Sequence, residues 1–233
     1  MDTRHPQGLS KEALMAILYD VELSPGKIEL IENWLPKQSW AKLEPGTKLS
    51  RVSSFRFDDP AGEVGVEFHL VKAPDGTVYQ VPLTYRGAPL AGAQQHLITE
   101  MDHPKLGHRW VYDGVADPVC VLETLRAIVT GGRSVDEYWQ TNTGFEQNTD
   151  TAEAWGTTEP NLTISDLPQG TDADRVQVTV ETVGDLTLAV LGEVKLGFLR
   201  VPSPVAVDAL EAPSGQLQVK VDADEYVSAR LLA

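Results

Sequence analysis

Cysteine is nearly missing: Cys120 is the only one in 233 residues. No disulfide can close within the chain and no cysteine cage can hold zinc, which fits a reducing, cytoplasmic location. Long apolar runs are also lacking, and none approaches the roughly 20 residues a spanning helix needs. Bases are scarce, with 19 Lys and Arg against 34 Asp and Glu, a net charge of −15. The imbalance belongs to the second half, because residues 1–110 carry 14 acids and 12 bases whereas residues 111–233 carry 20 and 7. Such a surface repels phosphate backbones and anionic lipid, so nucleic acid and membrane are excluded as main partners. Arg4 and Lys11 precede no uninterrupted apolar segment, so the first residues do not read as a secretory leader.

Catalytic signatures are missing as well. There is no Gly-x-x-x-x-Gly-Lys-Ser/Thr loop, no Gly-x-Gly-x-x-Gly and no Asp-Phe-Gly. His108-Arg109-Trp110 lacks the aspartate of a kinase catalytic loop, so the chain is not a kinase on its own. Gly-x-Ser-x-Gly is absent, and Cys120 falls inside a predicted helix, where it reads as packing. His96, Glu100, Asp102, His103 and His108 are ligand types, but their spacing matches no metal signature and a solvated loop is the preferred reading. No cofactor is expected.

What is present is alternation. Ile17, Tyr19, Val21 and Leu23 predict a strand over 17–23. Ser24 and Pro25 then predict a helix running to Leu35, with Pro36 ending it. Arg51 to Phe57 and Val64 to Leu70 predict an antiparallel pair. Pro74-Asp75-Gly76 predicts a hairpin turn into a strand over 77–86, whose Pro82 points to an edge or a bulge. A short helix is expected near Gln94 to Met101 and a strand over 109–112. The firmest helix begins at Asp117-Pro118, carries Val121, Leu122, Leu125, Ile128 and Val129 on one face, and stops at Gly131-Gly132. Residues 140–175 turn polar and read as a linker or long loop, with one short strand around Leu162 to Ile164. Strands then resume: Val176 to Val180, the turn Gly184-Asp185, Leu186 to Val190, and further runs at 194–201, 217–221 and 226–231.

The expected fold class is α+β: a curved antiparallel sheet packed with two main helices and extended by a β-rich C-terminal part. The expected division is a lead-in over 1–14, an α+β domain over 15–139, the linker over 140–175 and the β-rich extension over 176–233. Between Tyr79 and Pro118, the residues Tyr85, Arg86, Arg109, Trp110, Tyr112 and Asp113 have the chemistry of a sugar platform, since aromatic faces stack on sugar rings while planar polar groups fix hydroxyls. The competing reading is core and rim packing.

Trp34-Leu35-Pro36-Lys37-Gln38-Ser39-Trp40 and Tyr79-Gln80-Val81-Pro82-Leu83-Thr84-Tyr85-Arg86 resemble the N-terminal cap domain of bacterial maltokinases. Trp110-Val111-Tyr112-Asp113, followed by Asp117-Pro118, is similar to the same region. The resemblance covers roughly 17–132 and is nearest to stand-alone cap-like proteins of that family, often labelled α-1,4-glucan branching proteins. It implies an antiparallel cap with helices, which true maltokinases join to a two-lobed body that phosphorylates maltose with ATP. The chain departs from that pattern after Gly132, and in having Gln38-Ser39-Trp40-Ala41 where such caps tend to have Gln-Arg-Trp-Phe. A branching enzyme would resemble a large barrel of about 250 residues with alternating strands and helices. The resemblance implies a non-catalytic binding or regulatory role beside α-glucan, maltose or trehalose metabolism, with a kinase, another enzyme of that metabolism or a neutral glycan as partner. The enzymatic alternative is a small-sugar or phosphosugar enzyme with Asp113 or Glu100 as general base and Arg86 or Arg109 orienting the substrate. A third possibility is a dimer formed through the edge strand containing Pro82.

Overall fold

A computed structural model describes residues 16–18, 24–141, 143–159, 162, 176–204 and 215–232. Its centre is a five-stranded antiparallel sheet, built from β2 (Ser50–Asp58), β3 (Gly65–Lys72), β4 (Val78–Arg86), β5 (Leu97–His103) and β6 (Gly107–Asp113), in the order β2-β3-β4-β6-β5. The β3–β4 turn forms as its residues dictate: Asp75 accepts from the Thr77 amide at 2.9 Å, and Gly76 takes the left-handed φ of +91° that a Cβ would strain.

Alternation gives this sheet two buried faces. Val66, Phe68 and Leu70 of β3 enter one apolar cluster, while Val71, with Tyr79, Val81 and Leu83 of β4, enters another. Helix α1 (Lys27–Trp34) closes the second cluster with Leu30 and Ile31. Gly26 is its N-cap, and the Glu29 carboxylate accepts the Gly26 amide at 3.4 Å. The cap expected at Ser24 therefore lies two residues later.

Helix α2 (Pro118–Thr130) closes the first cluster. Asp117 caps it by accepting from the Val119 amide at 2.9 Å, Pro118 occupies its first turn and Gly131 ends it at φ +68°. Ten of its 13 residues are buried, more than one apolar stripe requires. The reason is a second layer. A six-stranded antiparallel sheet, built from β9 (Glu153–Gly156), β10 (Thr179–Val183), β11 (Leu186–Leu191), β12 (Val194–Leu199), β13 (Gln216–Val221) and β14 (Asp224–Leu232), contributes Ala154, Ala189, Leu196, Phe198, Leu217, Val219 and Ala229 to the same cluster. Phe198 stacks on Phe68 at 6.3 Å, so the C-terminal strands form their own sheet yet share the first sheet's core. At Gly156 a Cβ would fall 1.9 Å from the Ala127 carbonyl oxygen, so β9 crosses α2 where only glycine fits.

A third, three-stranded sheet pairs β1 (Ala16–Leu18) in parallel with β7 (Glu137–Thr141), which pairs antiparallel with β8 (Gly144–Gln147). The rest of the strand expected over 17–23 lies outside the described residues, as do the lead-in over 1–14 and all but Leu162 of the strand expected at 162–164.

Several local expectations are corrected. The helix expected over 94–101 is a single 3-10 turn, Gln94–His96, followed by β5. A register shift between Leu97 and Thr99 breaks the period-two pattern that would have announced this strand. The strand carrying Pro82 is interior, with β3 on one side and β6 on the other. Its proline is tolerated because β6 pairing stops at Leu83 opposite Asp113 and the chain then turns away. Pro82 thus offers no open edge for a dimer. The polar stretch over 140–175 contains β8 and β9, and β9 adds to the C-terminal sheet beside β13.

Candidate functional site: a sheet end closed by ion pairs

Strand register decides which candidate side chains share a face. On β4 and β6, Thr84 lies opposite Tyr112 and Arg86 opposite Trp110, whereas Leu83 lies opposite Asp113 and Tyr85 opposite Val111. Arg86, Trp110 and Tyr112 therefore point to one side of the sheet, and Tyr85, Arg109 and Asp113 to the other. The six residues do not make a single platform.

Two of their three charges are committed to ion pairs. Arg86 donates to Asp117 through Nε at 2.6 Å and through Nη2 at 2.7 Å, joining β4 to the cap of α2. Asp113 receives Arg200 in the same two-point manner, Nη1 at 3.0 Å and Nη2 at 2.5 Å, while Arg200 Nε donates to Thr187 at 2.9 Å. Arg200 is 1% exposed, and its guanidinium lies 4.8 Å from the centre of the Trp40 ring. A carboxylate held by a buried guanidinium is a poor general base, so the enzymatic reading loses Asp113. Tyr112 is fully buried and its hydroxyl accepts from the Leu90 amide at 2.9 Å. Arg109 packs beside Gly87, where a Cβ would meet its Nη1 at 2.8 Å.

The histidine-rich stretch also separates. His108 lies between Asp102 at 2.8 Å and Glu100 at 2.9 Å, and hydrogen bonds first to Asp102 and then to Glu100 raise its pKa. His103 Nδ1 accepts from the amides of Lys105 and Leu106, closing the β5–β6 turn. His96 is partly buried, and burial lowers its pKa against the opposing pull of Asp113. Among the described residues no three His, Cys, Asp or Glu side chains are grouped to hold a metal. Cys120 is fully buried, and burial, then Asp117 and Asp113, push its thiol well above its ordinary range.

A second polar cluster lies on the α1 face. Glu67 of β3 receives Lys27 of α1 at 2.6 Å. His69 lies 3.4 Å from the same carboxylate, but neither of its ring nitrogens makes a hydrogen bond. Glu137, 2% exposed at the start of β7, accepts from Asn148 at 3.0 Å and faces Arg56 Nε across 4.0 Å without a hydrogen bond. The Tyr85 hydroxyl is buried and unpartnered beside them. Burial raises the Glu137 pKa and Glu67 adds to the rise. Burial would raise Glu67 too, but Lys27, His69 and Arg56 together outweigh it and hold that carboxyl well below its usual range. The clue that was available is alternation itself, since Glu67 and His69 occupy every second position of a strand buried on both faces.

These features define a β-rich α+β protein whose central sheet ends in structural ion pairs. Residues 34–117 match the model of the maltokinase N-terminal cap domain, a span from the last residue of α1 to the N-cap of α2. No curated protein matches the chain. No described helix is long and apolar enough to cross a membrane.

Proposed function

We propose that this protein is a non-catalytic, cytoplasmic cap-like protein that acts in α-glucan, maltose or trehalose metabolism by contacting an enzyme of that metabolism or a neutral glycan. The observation that carries the reading is the coincidence of the cap match over 34–117 with the commitment of Arg86 and Asp113 to buried ion pairs. The segment has the form of a cap, and its most reactive-looking charges hold the fold together. The role is then exerted through surface, by binding. Calorimetric titration with maltose, maltodextrins and trehalose, paired with affinity capture from host extract, tests it. Binding of one of these sugars, or specific capture of a sugar kinase or glucan-modifying enzyme, is the expected result. Failure of every arm, or turnover of a sugar by the purified protein, overturns it.

A further inference from the structure

Helix α1 and strand β5 leave a small groove between them. Pro25, Leu30 and Ile98 line it with apolar surface, Trp34 stands beside them, and Asn33, Lys37 and Thr99 supply polar atoms. Its volume is about 180 Å³, below the roughly 300–1,000 Å³ of a drug-sized site. A single sugar ring fits that scale, and a disaccharide would leave its second ring in solvent.

We propose that this groove is a subsite for one glucosyl ring of a neutral sugar, an inference that rests on the glycan arm of the function proposed above. Three observations carry it. Trp34 is half-buried and fixed: Trp40 packs edge to face against it at 6.0 Å, and its carbonyl accepts from Gln38 Nε2 at 3.3 Å. A tryptophan held in this way offers apolar ring surface with little entropy left to lose. Asn33 and Lys37, one helical turn apart, are exposed beside it, and the Thr99 hydroxyl donates to the Glu100 carbonyl at 3.1 Å, leaving its lone pairs to accept.

The polar set selects the ligand. A carboxamide both donates and accepts, the ammonium only donates and Thr99 accepts, which matches hydroxyl groups that do both. No carboxylate lines the groove, so nothing recruits a cation. One exposed lysine is screened too well to hold an anion by charge alone. None of the six residues singled out between Tyr85 and Asp113 lines the groove.

Titration of the full chain with maltose and with methyl α-glucoside, followed by heteronuclear NMR, tests the assignment. Expected are shifts concentrated at the Trp34 indole N–H, Asn33 and Thr99, and similar affinity for the two sugars. Asn33→Ala with Lys37→Ala, both at exposed positions, is expected to weaken binding about tenfold, the scale of one lost hydrogen bond, with thermal unfolding unchanged. Trp34→Ala abolishes binding but also removes core contacts, so the double variant carries the decision. Sugar binding with shifts elsewhere, or an unaffected double variant, overturns the groove and leaves the wider glycan reading standing. No sugar binding at millimolar concentration overturns both the groove and the glycan arm, leaving enzyme capture to decide the rest.

Discussion

Asp113 and Arg200 are separated by 87 residues and meet in a buried two-point ion pair. Removing one partner strands the other, and an uncompensated buried charge costs about 3–5 kcal/mol. Asp113→Ala is therefore expected to lower stability by that amount in urea unfolding, and Asp113→Leu with Arg200→Met to recover most of it. A loss in Asp113→Ala below about 1 kcal/mol, the level of an exposed pair, would contradict the structural role. The sequence announced only one side of this contact. Asp113 stood out among aromatic neighbours, and Asp117 declared itself as a cap through the proline that follows. Arg200 was readable in principle, because it continues the inward phase of Leu196 and Phe198 on β12. No local pattern names a partner so far along the chain, which is why Asp113 looked like a reactive group.

At the scale of elements, the unsettled contact is the one between β7 and the central sheet. Glu137 brings a buried carboxylate toward Glu67, with Arg56 too distant to bond it. Because its folded pKa is raised, the stabilising contribution of Glu137 is complete below the unfolded value of about 4.3 and is lost as pH rises through the folded value. Glu67 has the opposite sign: its pKa is depressed, so its contribution is present above about 4.3 and is lost as pH falls through the folded value. Glu137→Gln is expected to flatten the loss of stability on the rising side, and Glu67→Gln the loss on the acid side. Urea midpoints across pH for the three proteins check this, and equal slopes in all three would refute it. Long, cleanly alternating elements such as β3, β4 and α2 were legible because periodicity and turn residues agreed. The strand β5 was hidden by its register shift, and β8 and β9 by their shortness within a polar stretch. Strands of four residues, with β8 wholly exposed, carry too little apolar pattern to be seen.

For the whole molecule, the decisive fact is the shared core. Helix α2 lies between the central sheet and the C-terminal sheet, and Phe68 stacks on Phe198 across them. Urea unfolding is expected to show one transition, with tryptophan fluorescence and far-ultraviolet circular dichroism coincident. Two separated transitions would mean that the layers are independent. The composition of residues 176–233 predicted their strands, but which surface those strands would cover depended on packing that no single segment encodes. Gln80, inside the central sheet, donates through its amide to the Ser228 carbonyl at 3.0 Å and accepts from the Ser228 hydroxyl at 2.6 Å, across 148 residues of chain. During synthesis residues 34–117 emerge before these partners do. Until β14 has left the ribosome, the apolar back of α2 and the amide of Gln80 lack the partners that cover them in the fold, which leaves them open to chaperones and neighbouring nascent chains for that interval.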